Sequence, residues 1–291
     1  MDNHAAPPKW DTIIRPRRGW FDLDVADLFR YRDLILLMVK RNFTVLYKQT
    51  ILGPAWVVIQ PLLTTLVFTV IFGQVAGLPT DGVPKFLFYM GGNVCWQYFS
   101  SCLVNTSGTF IQNSNLFGKV YFPRLCVPIA TIITQLINFL VQFTLFIGIL
   151  TFTVLTGNGG AIHPNWRLIA LTPFLLLQLG VLGLGFGIIV SALTTKYRDL
   201  AMLVSFGVHL WMYATPVTYS TSMIAGKFPG MMGLYMLNPI TPVIELFRAA
   251  YLGTAVYSYG YNLQSVIVTL AVLTVGVLLF SRIEKTFMDT V

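Results

Sequence analysis

Apolar and polar positions alternate on a long scale in this chain. Six apolar stretches reach the length of about 20 residues that a helix needs to cross a bilayer. They are Ile51–Val75, Phe86–Phe110, Ile129–Leu155, Leu168–Leu193, Leu200–Tyr219 and Leu263–Phe280, and none contains Asp, Glu, Lys or Arg. The pattern predicts an all-α integral membrane protein with six transmembrane helices. Residues 1–50 form a cytoplasmic arm and interface helix, and 51–291 form the six-span domain.

Residues 1–20, with Pro7, Pro8, Pro16 and Gly19, read as an extended arm. From Phe21 to Thr50 a helical period emerges. Tyr31, Leu34, Ile35, Met38, Val45 and Leu46 share one face, while Asp33, Lys40, Arg41 and Lys48 fall mostly elsewhere. The apolar run Leu34–Val39 is too short to span, so this helix is predicted to lie along the membrane interface. Leu36, Leu37 and Phe43 interrupt its polar face, which points to protein contacts as well as lipid; a plain interfacial anchor is the other reading. Gly53-Pro54 predicts a sharp turn into the first span. Between the last two spans, Met223–Leu237 and Ile240–Leu252 are too short to cross and are bounded by Pro or Gly. They read as two re-entrant half-helices in the outer leaflet, where irregular backbone must be buried in protein or line a cavity. Glu245 and Arg248 stand i, i+3 and are placed to pair.

Composition sharpens this picture. Hydrophobic residues make up 55% of the 291 and charged residues 10%, with a mean hydropathy of +0.71. Soluble domains carry roughly 25% charged residues, so disorder, a disulfide scaffold and an ordinary cytosolic enzyme are excluded. The net charge of +8 is a topology signal rather than a nucleic-acid footprint. Fifteen of the 19 Lys and Arg residues fall on the side of the N-terminal segment, the second and fourth connections and the tail. Positive charge marks the cytoplasmic side, so both termini of this multi-pass protein are expected there. The polar first fifty residues predict no cleavable leader. Cys95, Cys102 and Cys126 are an odd set, and the first two would lie roughly 10 Å apart on a helix, so no disulfide is expected.

Recognisable chemistry is sparse. No G-x-x-x-x-G-K-[ST] loop is present: Gly118-Lys119 and Gly226-Lys227 are followed by Val120 and Phe228. The chain should therefore not hydrolyse ATP itself. His4, His163 and His209 show neither metal-ligand spacing nor a triad pattern, so no catalytic residue and no metal site are expected. The charge-free spans disfavour ion coupling and a charged pore ring; energy for any transport must come from outside. Phe86, Phe88, Tyr89, Trp96, Tyr98 and Phe99 crowd the second span, and Trp211 and Tyr213 the fifth. Such rings could line a channel and stack on sugars, or serve as an interfacial belt and ordinary core. Gly180, Gly183, Gly185 and Gly187 predict close helix packing. In the connection Asn113–Arg124, Phe117, Tyr121 and Phe122 read either as anchors for a partner protein or as a headgroup-level belt.

Taken in order, several segments resemble the membrane subunit of ABC-2 type polysaccharide exporters, the family of O-antigen, capsular and teichoic acid permeases. They are Tyr31-Arg32-Asp33-Leu34, YKQTILGPAWVVIQP (Tyr47–Pro61), LFGKVYFPR (Leu116–Arg124), Tyr197-Arg198-Asp199, Ala214-Thr215-Pro216-Val217 and NPITPVIELFRAAYLG (Asn238–Gly253). The resemblance implies a homodimer with two copies of a separate ABC ATPase. ATP and Mg would be held by that partner and no cofactor by this chain. It implies a channel at the dimer interface for a lipid-linked glycan, expected to be an undecaprenyl-linked polysaccharide, and Phe88, Tyr89, Trp96, Tyr98, Phe99, Trp211 and Tyr213 are the aromatics expected to line it. Asn115, Leu116, Phe117, Lys119, Val120, Tyr121 and Arg124, with Arg32, Lys40 and Arg41, would touch the ATPase. Asn238, Pro239, Glu245 and Arg248 would belong to an outer gate. Rival readings are an ABC-2 permease for a drug or small lipid, teichoic acid export, and a membrane-embedded glycan-modifying enzyme. For the last, Glu245 and His163 are too few and scattered.

Overall fold

The computed structural model describes residues 25–48, 53–117, 119–120, 122–157, 159–160, 162–194, 199–254 and 258–290, without the side chains of 25–27, 46–47, 114–115 and 283–290. The N-terminal arm, Tyr121, Tyr197 and Arg198 lie outside the described residues.

Among the described residues all regular structure is helical, with no strand. Helices α1 (Val25–Arg30) and α2 (Arg32–Tyr47) precede a 3-10 turn, Gly53–Ala55, that opens α3 (Trp56–Phe68). Gly53 takes the left-handed conformation (φ +49) at that turn, where a side chain would be strained. The first span continues beyond α3 as a π-helical stretch, Thr69–Val75. Lys85 Nζ donates to the Gly73 carbonyl of that stretch at 2.6 Å. There follow α4 (Lys85–Ser107), the single turns α5 (Thr109–Gln112) and α6 (Ser114–Phe117), and α7 (Cys126–Leu155). The second half holds α8 (Trp166–Ile169), α9 (Thr172–Thr194), α10 (Leu200–Tyr213), α11 (Thr221–Lys227), α12 (Met232–Met236), α13 (Thr241–Tyr251) and α14 (Tyr259–Thr290).

Four helical segments are long and apolar enough to cross a bilayer: Gly53–Val75, Cys126–Leu155, Thr172–Thr194 and Tyr259–Arg282. Helix α4 matches them in length with 23 residues but carries Asn93, Gln97, Ser101 and Asn105. Helix α10 is shorter than the predicted Leu200–Tyr219. Its 14 residues rise about 21 Å at 1.5 Å each. It stops at Tyr213 because Pro216 cannot continue the ladder and disfavours helical geometry at Thr215. The carbonyls freed there are used elsewhere in the fold.

The predicted half-helix Met223–Leu237 is not one helix. Proline and glycine divide it into α11, a 3-10 turn at Pro229–Met231, and α12. The second piece does form, as α13, and all eleven of its residues are buried.

Helix α4 is the centre of the fold, packed against α3, α7, α9 and α13. Helix α9 lies between α4 and α14 because its glycines face two ways. A Cβ on Gly183 would come within 2.6 Å of the Cys102 Cβ, and one on Gly187 within 2.5 Å of the Thr106 Cβ, both on α4. Gly185 faces the other side, where a Cβ would meet Val272 of α14 at 2.9 Å. Small residues let helix backbones approach closely, and in lipid such packing replaces the hydrophobic drive available in water.

Helix α2 packs Ile35, Met38 and Val39 into a second core with Phe110, Phe117, Phe122, Val127 and Phe280. The contact ends sooner than its period predicts, since Val45 is exposed. Leu36 and Leu37 are exposed too, so this helix keeps an apolar surface that the described residues do not cover.

Candidate functional site

The most distinctive surface is a groove of about 680 Å³ between α2, α3, α4 and α7. Helical spacing builds it. Gln97, Ser101 and Asn105 recur at i, i+4 and i+8 on α4, and Thr131, Gln135, Asn138 and Gln142 recur at i, i+4, i+7 and i+11 on α7, so each set forms one stripe. Gln60 of α3, Tyr98 of α4, Gln112 and Asn113 complete the polar lining, with Arg41 and Asn42 at the α2 end. No carboxylate lines the groove, and Arg41 is its one charged lining residue among the described residues.

The hydroxyls of Thr131 and Thr134 donate to the carbonyls of Val127 and Ala130, at 3.1 and 2.8 Å. Donating backward in this way leaves their oxygens facing the groove as acceptors. Asn105 Nδ2 donates to the Ser101 carbonyl at 2.8 Å, and Asn138 Nδ2 to Gln135 Oε1 at 3.1 Å. Gln142 differs. It is 6% exposed and its Oε1 has no hydrogen-bond partner, a state that costs about 1–3 kcal/mol if nothing else fills it. From Val127 to Gln142 the groove follows α7 for about 22 Å at 1.5 Å per residue. Past Gln142 the cleft between α3 and α7 turns apolar, lined by Val58, Val141, Leu145, Ile149 and Phe152.

In the sequence the aromatics stand out by type, whereas these carboxamides carry no signal of their own. Of the seven rings expected in a channel, Phe88, Tyr89, Trp96, Tyr98 and Phe99 are buried within the subunit. Phe99 and Trp211 pack edge-on at 5.3 Å, Trp96 meets Trp211 at 6.4 Å, and Phe186 closes the same cluster at 5.2 Å from Trp211. These faces are occupied by one another. Tyr98 packs on Phe139 at 5.3 Å and alone among the seven lines the groove. Tyr213 is half exposed at the end of α10. The signal that would have found the groove is the recurrence of Gln, Asn and Thr every three or four residues along otherwise apolar helices.

At the α13 end, the expected outer residues converge on the turn after α10. Arg248 pairs with Glu245 at 3.3 Å, and both are buried. Its Nη1 donates to the Pro216 carbonyl at 2.6 Å and its Nη2 to the Val217 carbonyl at 3.0 Å. Asn238 donates to Thr215 Oγ1 at 2.9 Å and accepts from Trp211 Nε1 at 3.3 Å. The Pro239 carbonyl accepts from Ser265 Oγ of α14 at 2.5 Å. Nearby, the Asp81 carboxylate accepts from Ser220 Oγ, and from Ser222 Oγ at 2.6 Å, joining the α3–α4 connection to the start of α11.

At the α2 end, Phe117 of α6 and Phe122 of the connection after it turn inward. Phe117 and Phe122 are buried beside one another, 5.8 Å between ring centres, and Arg124 lies 5.6 Å above Phe117. They anchor the loop to its own subunit. Lys119 and Val120 face outward, and Leu116 is partly buried. The Asn115 side chain and Tyr121 lie outside the described residues. Arg32, Lys40 and Arg41 are exposed along α2; Arg32 stands 3.8 Å from Asp33 in a solvated pair of little energetic weight. Among the described residues, no three His, Cys, Asp or Glu side chains are grouped to hold a metal.

A profile of the ABC-2 type transporter family matches residues 33–252, from the first turn of α2 to the end of α13. The chain is also similar to a protein of Klebsiella pneumoniae named O-antigen export system permease protein RfbA. The two are 27% identical over 259 residues, which covers 88% of this chain and 94% of that protein. A Myxococcus xanthus protein of the same name is 28% identical over 228 residues, covering 78% of this chain and 83% of its own length. The matched region includes the groove, the glycine-packed core and the buried arginine, and the chain belongs to the ABC-2 type transporter family.

Proposed function

We propose that this chain is the transmembrane subunit of an ATP-driven exporter that moves an O-antigen-like, lipid-linked polysaccharide across a bacterial inner membrane. One observation carries the reading: relatives aligned over 78–88% of the chain are named O-antigen export permeases. In this reading α3, α4, α7, α9, α10 and α14 are the six spans. Helix α2 lies at the cytoplasmic interface with both termini on that side, and α11 to α13 form the outer gate. Two copies of the chain pair with two copies of an ABC ATPase that holds ATP and Mg.

Closure of the ATPase pair would push on Lys119, Val120 and the exposed basic face of α2. Phe117 and Phe122 give that push a path, because they pack in one cluster with Phe110 after α4 and Phe280 of α14. A shift of the loop is thereby passed to both helices as a rigid-body displacement. The trial is co-expression with the candidate ATPase. Wild type should co-purify with it and display polysaccharide at the cell surface, whereas Lys119→Glu should lose both. Display without any ATPase would overturn the reading.

A further inference from the structure

We propose that a second, apolar cleft, between α7 and α9, holds an acyl chain of one membrane glycerophospholipid, with the headgroup phosphate at Arg167. The site is separate from the polar groove and does not depend on the exporter reading. The cleft measures about 840 Å³. Helix α9 packs closely on α4 but only lightly on α7, which leaves the space between them open. Ile129, Leu136 and Phe143 recur at i, i+7 and i+14 on α7, and Leu176, Gly180 and Leu184 at i, i+4 and i+8 on α9. Each set therefore lines one wall. Tyr98 of α4 lines this cleft as well as the polar groove and stands between the two. From Ile129 to Phe143 the cleft follows α7 for about 21 Å at 1.5 Å per residue, more than half of the roughly 30 Å hydrocarbon core of a bilayer. Both walls belong to helices long and apolar enough to cross a membrane, so the cleft opens at hydrocarbon depth.

Three observations select a phospholipid as the occupant. First, the walls are bulky and branched, whereas helices that dock on one another in a bilayer meet through small residues. The small residues of α9 are already engaged: Gly183 and Gly187 face α4, Gly185 faces α14, and a Cβ on Gly180 would fall 2.6 Å from the Tyr98 hydroxyl. A flexible chain fits such a slot where a further helix does not. Second, hydroxyls gather at one end. Thr172 and Tyr251, the last residue of α13, stand 2.8 Å apart there. Two hydroxyls carry two protons and their mutual bond uses one, so the other is free to be donated to an ester carbonyl. Third, a cation follows beyond the hydroxyls. Arg167 is exposed on α8, two residues before Ile169, which lines the same end, and it makes no ion pair among the described residues. Trp166 is exposed beside it, as rings are at headgroup level. A guanidinium takes phosphate in a two-pronged, charge-assisted contact. The order of apolar slot, hydroxyl pair and cation is that of acyl chain, ester and phosphate in a glycerophospholipid. An isoprenyl phosphate has no ester to meet the hydroxyls.

The test is photolabelling of the purified full-length chain in detergent micelles. The probe is phosphatidylglycerol with a diazirine in one acyl chain, and the labelled peptides are identified by mass spectrometry. Label should concentrate on residues 129–143 and 172–184 and exceed that on the exposed α14 face at Leu263, Ile267 and Leu270. Unlabelled dioleoylphosphatidylglycerol should displace it, and farnesyl phosphate at the same concentration should not. Leu136→Trp and Leu176→Trp fill the cleft from opposite walls, and each should cut labelling of the facing wall about tenfold or more. Unchanged labelling of α14 shows that a variant has folded, and two walls keep the test from resting on one variant. Arg167→Gln should raise the concentration of dioleoylphosphatidylglycerol needed for displacement about tenfold, the loss of one charge-assisted contact. It should leave displacement by dioleoylglycerol, which has no phosphate, unchanged. Label spread evenly over the exposed apolar faces, or equal displacement by farnesyl phosphate, overturns the proposal. So does cleft labelling that appears only when the protein is diluted, because a second copy of the chain then covers the cleft.

Discussion

Arg248 lies over the face of Phe88, its guanidinium carbon 3.8 Å from the ring centre. That contact ties α13 to α4, while the same guanidinium holds the carbonyls of Pro216 and Val217. One buried cation thus joins α13, the central span and the end of α10. Gly92 makes the room: a Cβ there would fall 2.6 Å from Arg248 Nη2 and 3.1 Å from the Val217 carbonyl.

Arg248→Lys cannot reproduce a planar fork directed at two carbonyls above a ring. It leaves Glu245 poorly paired in a buried setting, where breaking one partner typically costs about 3–5 kcal/mol. Thermal unfolding of the detergent-solubilised chain should show a large fall in Tm for Arg248→Lys, and for Gly92→Ala as the guanidinium is displaced. An unchanged Tm in both would mean the arginine does not hold these elements together.

The glycines of α9 make a sharper contrast. Gly183→Val and Gly187→Val should block folding, because their first added carbon already collides with α4. Gly148→Ala on α7 meets nothing within 4 Å and should be neutral or stabilising by up to about 1 kcal/mol from helix propensity. Yield of monodisperse protein on size exclusion separates the two groups. Equal yields would contradict the packing described.

Loss of the Asp81 clasp should be local. Asp81→Ala removes the acceptor shared by Ser220 and Ser222, and Ser220→Ala also removes a cap from α11, worth about 1 kcal/mol. Hydrogen exchange should accelerate in residues 221–227 and leave α9 protected. Exchange that rises evenly across the chain would show that the clasp is not a local tie.

Two residues of the α6–α7 connection should behave differently. Phe117→Ala empties a position packed between Phe110 and Phe122 and should lower stability by roughly 3–5 kcal/mol, the usual cost of truncating a buried Phe. Lys119→Glu changes an exposed residue and should leave Tm within about 1 kcal/mol of wild type, as surface substitutions do, while ATPase co-purification is lost. A matching fall in Tm for both would mean that the loop has no separate outward face.

What the sequence made legible was set by charge and punctuation. Charge-free runs located the long helices, Gly53-Pro54 the turn before α3, and the glycines of α9 its close approach to α4. The pairing of Glu245 with Arg248 followed from i, i+3 spacing. What stayed hidden depends on partners distant in sequence. The carbonyls freed where Pro216 ends α10 find their partner in Arg248, over thirty residues on. The inward direction of Phe117 and Phe122 depends on Phe110 and Phe280. The aromatics of α4 stood out by type, yet their faces meet Trp211 and Phe139. The groove escaped notice because Gln and Asn carry no charge and are diluted in an apolar window. Only when α4 and α7 are set side by side do their separate stripes become one surface.

The most direct measurement of the central claim is reconstitution of the full chain with its ABC ATPase into proteoliposomes loaded with a lipid-linked polysaccharide. Glycan reaching the opposite face is then followed over time. The account predicts movement that requires ATP and both subunits and is lost with Lys119→Glu. Movement that proceeds without ATP, or with this chain alone, would contradict it.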